Sequence, residues 1–192
     1  MATYTSIANF NATTGLNTVS DTWANIQAAL INSSSVLYTK ASLLGAGSIT
    51  CTDSSAPAGG WVATLTSTQY TNVFTAKFVN FTTLVTGITV VNAVTAQNDP
   101  KVASFTVSDS SAAIAGALNA LQVGVTNNKL TSITQSGTAA PLNLRAGQLT
   151  ADAGALAKIN GAYTVAVSDG SAAIANNLDA LQALGTKLTG CD

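Results

Sequence analysis

Hydrophobic and polar positions follow one pattern at three places along this chain. In its clearest form, Phe105 and Val107 alternate with polar residues, which predicts a strand. Ile114, Leu118 and Leu121 then fall at helical spacing, which predicts a helix with one narrow apolar face. We therefore read the chain as a repeat protein. The first, second and third copies of this motif are residues 19–30, 107–122 and 167–182.

A Ser-Asp pair stands between the strand and the helix of each copy. Asp21, Asp109 and Asp169 occupy the same motif position. A short carboxylate at this place can accept hydrogen bonds from the free N–H groups of a helix first turn, and its charge suits the positive end of the helix dipole. We therefore predict that these three residues are helix caps.

The residues after each copy extend the unit to strand, helix, strand, strand, helix. The third copy ends after the first of its two following strands, and Phe81 to Thr95 is read as an extra strand pair. The predicted fold is α+β and β-rich, with the units packed as one elongated domain. Its parts are an N-terminal region with a divergent first unit, a second unit and a truncated third unit; these are residues 1–98, 99–162 and 163–192.

The composition limits the function. Charged residues make up only 8% of the chain, the net charge is −1, and no basic patch is present, which argues against nucleic acid as a partner. The long uncharged stretch 78–98 is interrupted by polar residues, so membrane insertion is not expected. A surface with so few charges does little to prevent strand edges from pairing, which favours a surface-exposed or self-assembling protein.

No motif in the sequence predicts catalysis. The chain has no histidine, so a Ser-His-Asp triad has no base, and all eight acidic residues are aspartates. Zinc in its usual sites needs more histidine or cysteine ligands than the chain has. Calcium fits the aspartate and asparagine content better, but no calcium-binding loop motif occurs. We predict no enzyme activity and no cofactor, with calcium left open.

The two cysteines, Cys51 and Cys191, leave three alternatives open. They can be free thiols, they can form a disulfide within the chain, or they can join Cys191 of one chain to Cys51 of the next. Two cysteines alone do not identify the redox compartment. The third alternative would fit head-to-tail stacking of copies.

The run Val-Ser-Asp-x-Ser-Ala-Ala-Ile-Ala-x-x-Leu-x-Ala-Leu-Gln, followed in the second copy by Lys-Leu-Thr-Ser-Ile-Thr, resembles the Ala/Thr-rich repeats of large bacterial surface and type I-secreted, adhesin-like proteins. The resemblance covers residues 103–192 well and the first unit weakly. It implies an extracellular, non-enzymatic, structural or adhesive role. This chain is shorter than such proteins, which favours a subunit that gains length by association.

The leading hypothesis is a structural subunit of an extracellular bacterial filament or surface layer. It would associate with itself through strand edges, with head-to-tail stacking as one arrangement, because the third unit lacks its last strand and helix. The charge-free stretch with Leu84, Ile88 and Val90 is a second candidate assembly strand. Two alternatives remain: a phage structural protein, and an adhesin or carbohydrate-binding module that stacks sugars on aromatic rings. The rings in question are those of Trp23, Trp61 and Tyr70.

Overall fold

The structure is a computed structural model that describes residues 2–10, 17–37, 47–73 and 75–192. These residues form ten strands and nine α-helices, and the two element types alternate along much of the chain. The strands lie in three parallel sheets. Parallel neighbours cannot be joined by a tight turn, so the helices between them act as the crossover connections.

The chain divides into two compact units. Unit one comprises Met1–Thr86 and Asp99–Ser104, and unit two comprises Gly87–Asn98 and Phe105–Asp192. The second and third motif copies both lie in unit two, and the first lies in unit one. The two units are described in turn.

Unit one begins with three strands paired in sequence order. Its elements are β1 (Ala2–Tyr4), a 3₁₀ turn (Ile7–Asn9), β2 (Asn17–Asp21), α1 (Trp23–Ile31), β3 (Ser48–Cys51), β4 (Trp61–Thr66), α2 (Ser67–Asn72), a second 3₁₀ turn (Thr75–Lys77) and most of β5 (Phe81–Ile88). β1 pairs with β2 and β2 with β3, while β4 pairs with β5. Val19, Ile26 and Leu30 of the first copy are fully buried. The predicted strand and helix of that copy are therefore confirmed.

Unit two repeats the alternation of strand and helix. Its elements are α3 (Val90–Asn98), most of β6 (Val102–Asp109), α4 (Ser111–Gly116), α5 (Leu118–Thr126), β7 (Leu130–Gln135), β8 (Leu142–Leu144), α6 (Gln148–Ala151), α7 (Ala153–Leu156), β9 (Val165–Val167), α8 (Ser171–Ala175), α9 (Leu178–Leu184), a 3₁₀ turn (Gly185–Lys187) and β10 (Leu188–Cys191). β6 pairs with β7, and β9 pairs with β8 and with β10. The predicted apolar stripe of the second copy, Ile114, Leu118 and Leu121, is buried in this unit.

Each predicted helix of the second and third copies is divided in two. In the second copy the break falls at Ala117, between α4 and α5, and in the third it falls at Asn176 and Asn177, between α8 and α9. A third break at Asp152 separates α6 from α7, where the sequence predicts one helix from Thr150. Each break frees backbone groups that need another hydrogen-bond partner.

Two expectations about the fold are corrected. The prediction of mixed helix and strand holds, but the class is α/β rather than β-rich α+β, because the sheets are parallel and helices connect their strands. The extra strand pair is one strand, β5, followed by a helix, α3. Gly87, next to the last residue of β5, has a φ of +66°, in the left-handed region that favours glycine. Val90 and Ala93 are then buried at helical spacing, although valine-rich sequence favours strands.

Candidate functional site

The motif aspartates each connect two backbone segments. In the third copy, Oδ1 of Asp169 accepts a hydrogen bond from the Gly170 N–H at 2.9 Å, and Oδ2 accepts one from the Ala146 N–H at 3.1 Å. Ala146 lies just before α6. One carboxylate therefore holds the end of β9 to the start of the preceding helical segment, and we call this arrangement the carboxylate bridge.

The same bridge recurs in the other two copies. Asp109 accepts from the N–H groups of Ser110 at 2.8 Å and Val90, the first residue of α3, at 3.0 Å. Asp21 accepts from the N–H groups of Thr22 and Ile7, both at 2.7 Å. Hydrogen bonds to a charged group contribute about 1.5–3 kcal/mol each. The recurring Ser-Asp pair therefore has a structural reason.

The prediction that these aspartates are the N-caps is wrong by one residue. Thr22 is the N-cap of α1, with its hydroxyl accepting from the Asn25 N–H, and Ser110 is the N-cap of α4, with its hydroxyl accepting from the Ala113 N–H. Gly170 takes this position before α8 and has no side chain to cap the helix. Each aspartate lies one residue before the N-cap of its own helix. Its carboxylate instead accepts a hydrogen bond from a backbone N–H of the preceding segment.

Asp21 is the most buried of the three motif aspartates. Burial by itself raises the pKa of its carboxyl, but hydrogen bonds from the Ile7 N–H, the Asn25 amide and the Thr22 N–H outweigh it. The net result is a pKa below the ordinary value of 3.8. The carboxylate is thus held in its charged form, as an acceptor of three donors. This is the opposite of the raised pKa that a general acid needs near neutral pH.

Gln122, at the end of the second motif copy, forms a link that sequence reasoning missed. Its Oε1 accepts a hydrogen bond from the Ala155 N–H at 2.8 Å. That N–H is freed by the helix break at Asp152. A Cβ added to the neighbouring Gly154 would lie 2.9 Å from the Gln122 amide, so glycine at this position leaves Gln122 free to keep its hydrogen bond. The available signal was the recurrence of glutamine at the same position of the third copy, Gln182.

The second and third copies differ sharply in burial. Leu118 is 0% exposed, whereas its counterpart Leu178 is 51% exposed. Ile114 is fully buried and Ile174 only partly, and Ser111 is buried while Ser171 is exposed. In the second copy, β8 packs on α4, and α6 and α7 pack on α5. We call the corresponding outer surface of α8, α9 and β10 the third-copy face.

A polar groove of about 560 Å³ lies at the carboxyl ends of β8 and β9. Arg145 and Asp169 both line it, with Nη1 and Oδ1 3.8 Å apart and the arginine side chain 77% exposed. This edge of a parallel sheet is where α/β proteins bind ligands. Asp169 already accepts two backbone N–H groups and faces the Arg145 guanidinium, so the two charged groups of this groove balance each other.

An apolar groove of about 520 Å³ separates α6 and α7 from α9. Leu149, Leu156 and Leu184 line it, together with Tyr163 and Lys187. The Lys187 ammonium lies 4.1 Å from the centre of the Tyr163 ring, a cation–π contact. The lining is mostly alanine and leucine, so the groove can accept apolar side chains but offers no pair of groups for acid–base chemistry.

Both cysteines are free thiols in the structure, so the alternative of a disulfide within the chain is not realised there. Cys51 is buried at the end of β3, where its backbone N–H and C=O bond the Asn80 side chain. Cys191 is exposed on β10. A bridge from Cys191 of one chain to the buried Cys51 of another would require β3 to open.

The candidate assembly strand is mostly core. Ile88 is fully buried and Val90 is buried at the start of α3, while Leu84 is partly buried on the other face of β5. As parts of a candidate assembly strand, Ile88 and Val90 are therefore wrong, because both are buried and Val90 belongs to a helix. β5 alternates as predicted, but a helix begins at Val90 and turns that residue inward.

The aromatic residues pack against one another rather than form a flat platform. The rings of Trp23 and Trp61 are 5.2 Å apart and tilted by 31°, and Trp23 also meets the edge of Phe81 at 5.6 Å. Tyr70 is buried, and its hydroxyl donates to Asp99 at 3.3 Å. Burial and the nearby Asp99 charge raise the pKa of Tyr70. Tyr70 is therefore not available to stack on a sugar.

The described residues contain neither a cluster of metal ligands nor a helix that could span a membrane. Among the described residues, no three His, Cys, Asp or Glu side chains are grouped closely enough to hold a metal ion. Within the same residues, every helix is too short or too polar to cross a bilayer. The expectation of no cofactor, with calcium left open, stays a prediction.

Comparison with known proteins adds no relative. No family model, no curated protein and no solved structure matches this chain. The function therefore has to be argued from the residues themselves.

Proposed function

We propose that this protein is a structural subunit of an extracellular bacterial assembly, either a filament or a surface layer, and that it associates with itself through the third-copy face. In this proposal the chain is a repeat array in which carboxylate bridges join consecutive strand–helix segments. The recurrence of the bridge at Asp21, Asp109 and Asp169 supports the array. The low charge and the sequence resemblance support the extracellular role.

The observation that carries the proposal is the exposure of Leu178. The same motif position is fully buried in the second copy, whose two helices pack against a following strand and two short helices. Fully burying a leucine contributes about 1.5–3 kcal/mol. A partner that covers Leu178 together with Ile174 recovers this energy, and the few charges nearby offer little repulsion to oppose it.

The test is the oligomeric state of the wild-type chain and of two matched variants. We expect wild-type protein to associate in a concentration-dependent way in analytical ultracentrifugation and to form ordered polymers by negative-stain electron microscopy. Leu178→Asp should weaken association at least about tenfold, since burying an unpaired charge costs more than 1.4 kcal/mol. Val91→Asp is the control, because Val91 is 78% exposed on α3, which lies outside the third copy.

Runs with and without reductant separate the contribution of Cys191. Association that survives reduction is non-covalent, as proposed, and association lost on reduction is due to a disulfide. A wild-type chain that stays monomeric up to its solubility limit would refute the proposal. Equal effects of the two variants would assign association to general surface apolarity. Protease treatment of intact source cells tests the extracellular location.

A further inference from the structure

We propose that the third-copy face binds a strand–helix polypeptide segment with the chemistry of residues 141–157, supplied by a partner chain. The inference rests on the proposed function for the partner being another subunit. It goes further because it specifies what kind of segment docks, and how. The chain itself provides the reference, since residues 141–157 cover the equivalent face of the second copy.

The covering segment makes three kinds of contact with the second copy. Its strand, β8, buries Leu142 and Leu144 where it packs on α4. The Ala140 N–H, just before it, donates to the Ser111 hydroxyl at 3.1 Å. Its second helix, α7, places the Ala155 N–H on Gln122. The segment therefore packs on an apolar stripe and donates hydrogen bonds to two side-chain acceptors.

The third copy keeps all three features and leaves them open. Leu178 stands where Leu118 stands in the second copy, Ser171 corresponds to Ser111, and Gln182 corresponds to Gln122. All three third-copy residues are exposed. A solvent-facing helix needs neither the leucine nor these two particular acceptors, whereas a docked strand–helix segment uses all of them.

Position 179 determines which charge is favoured at the start of the partner helix. In the second copy, the Gln148 amide donates to Asn119 Oδ1 at 3.0 Å. The counterpart of Asn119 in the third copy is Asp179, which is exposed and negative. A lysine, arginine or glutamine at the start of the partner helix can donate to this carboxylate, and an acidic residue there is disfavoured. The close contact at Gly154 favours a glycine facing Gln182.

The experiment supplies the segment in register on the same chain. Lys187-Leu188-Thr189 corresponds to Lys129-Leu130-Thr131, so Asp192 corresponds to Thr134, and a second copy of residues 135–160 can follow Asp192 directly. We expect the amides of α8, α9 and the added segment to exchange at least about tenfold more slowly, because covering Leu178 stabilises them. The extension also occupies the face, so self-association should be lost.

The control extension has the same length, with serine at the added counterparts of Leu142, Leu144 and Leu156. Any effect of added length alone appears in both chains, and the Trp23 and Trp61 fluorescence checks that unit one is unchanged. Leu178→Asp in the extended chain should remove the protection. If both extensions exchange equally fast, the inference is wrong.

The outcomes separate this inference from the proposed function. A monomeric wild-type chain with a protected leucine extension supports the docking chemistry and refutes self-association. A wild-type chain that polymerises, with an unprotected extension that leaves polymerisation unchanged, supports the subunit role and refutes the strand–helix occupant.

Discussion

The second and third motif copies carry nearly the same sequence but lie in different environments. Both have a strand that leads into Ser-Asp, the stripe of one isoleucine and two leucines, the helix break and the final glutamine. Both also form the carboxylate bridge to the preceding segment. They differ in burial: Leu118 is buried in a copy whose helices pack against the following strand and helices, and Leu178 is 51% exposed.

This comparison shows that burial in this protein depends on the following segment more than on the motif itself. A strand–helix segment with one apolar stripe cannot bury that stripe alone, so its neighbour determines how much the stripe contributes to stability. Substitutions at matched positions of the two copies measure that contribution directly.

The largest difference is expected at the leucine pair. Leu118→Ala removes a fully buried side chain and should lower the free energy of unfolding by about 2–5 kcal/mol. Leu178→Ala, at the matched position, should cost less than about 1 kcal/mol because the side chain is half exposed. Urea denaturation of the two variants checks this. Equal losses would mean that the third copy is covered in solution.

The carboxylate bridge should instead affect both copies alike. Asp109→Ala and Asp169→Ala each leave two backbone N–H groups without their acceptor, at about 1–3 kcal/mol. Asp179→Ala is the matched control, since Asp179 is exposed, and its effect should stay within about 0.5 kcal/mol. A loss at one bridge alone would contradict the equivalence of the two copies.

Gln122 and Gln182 test the contact with the following segment a second time, with a smaller expected effect on stability. Gln122→Ala leaves the Ala155 N–H without an acceptor and should cost about 1 kcal/mol. Gln182→Ala should leave the stability of the isolated chain unchanged and weaken only its association. Parallel denaturation and sedimentation measurements of both variants show whether the two effects separate in this way.

The first copy provides a pH test of the bridge. The pKa of Asp21 is lower in the folded protein than its ordinary value, so its charged form stabilises the fold. This stability is present above the unfolded pKa of about 3.9 and is lost as pH falls through the lower folded pKa. Asp21→Asn should make the unfolding free energy less dependent on pH below about pH 4. An unchanged slope would show that Asp21 does not contribute.

The smallest effect is expected at the missing cap. Gly170 has φ −67° and ψ 148°, close to the −64° and 155° of the N-cap Ser110, and no atom lies within 4 Å of an added Cβ. Gly170→Ser should therefore raise stability by a few tenths of a kcal/mol by capping α8. Ser110→Gly should do the reverse at α4. Thermal unfolding of both variants measures the two changes.

The sequence predicted the local features because local spacing determines them. The alternation in β6 and the stripe of Ile114, Leu118 and Leu121 were readable in this way. Of the two hydrogen bonds in the carboxylate bridge, only the local one could be anticipated from the sequence. The bond from Asp109 to the next residue is local, but its second partner, Val90, is 19 residues away. Only the fold brings that N–H to the carboxylate.

Two other features were beyond sequence reasoning for different reasons. α3 was predicted as a strand because Val90, Val91 and Val94 favour strands, and packing of Val90 and Ala93 overrides this preference. The exposure of Leu178 was not readable because its motif is almost the same as the one around Leu118. An identical stripe gives no information about what lies on it.

The close approach at Gly154 has a consequence for identifying partners of this protein. An added Cβ at that position would lie 2.9 Å from the end of the Gln122 side chain, so glycine is the residue that lets a segment dock on Gln182 in the same way without moving that glutamine. Leucines at alternate positions of a short strand, then a basic residue or glutamine, then this glycine six residues later in an alanine-rich helix form a pattern that can be searched in the proteins encoded beside this one. A neighbouring gene that carries the pattern would identify a subunit to co-express and co-purify.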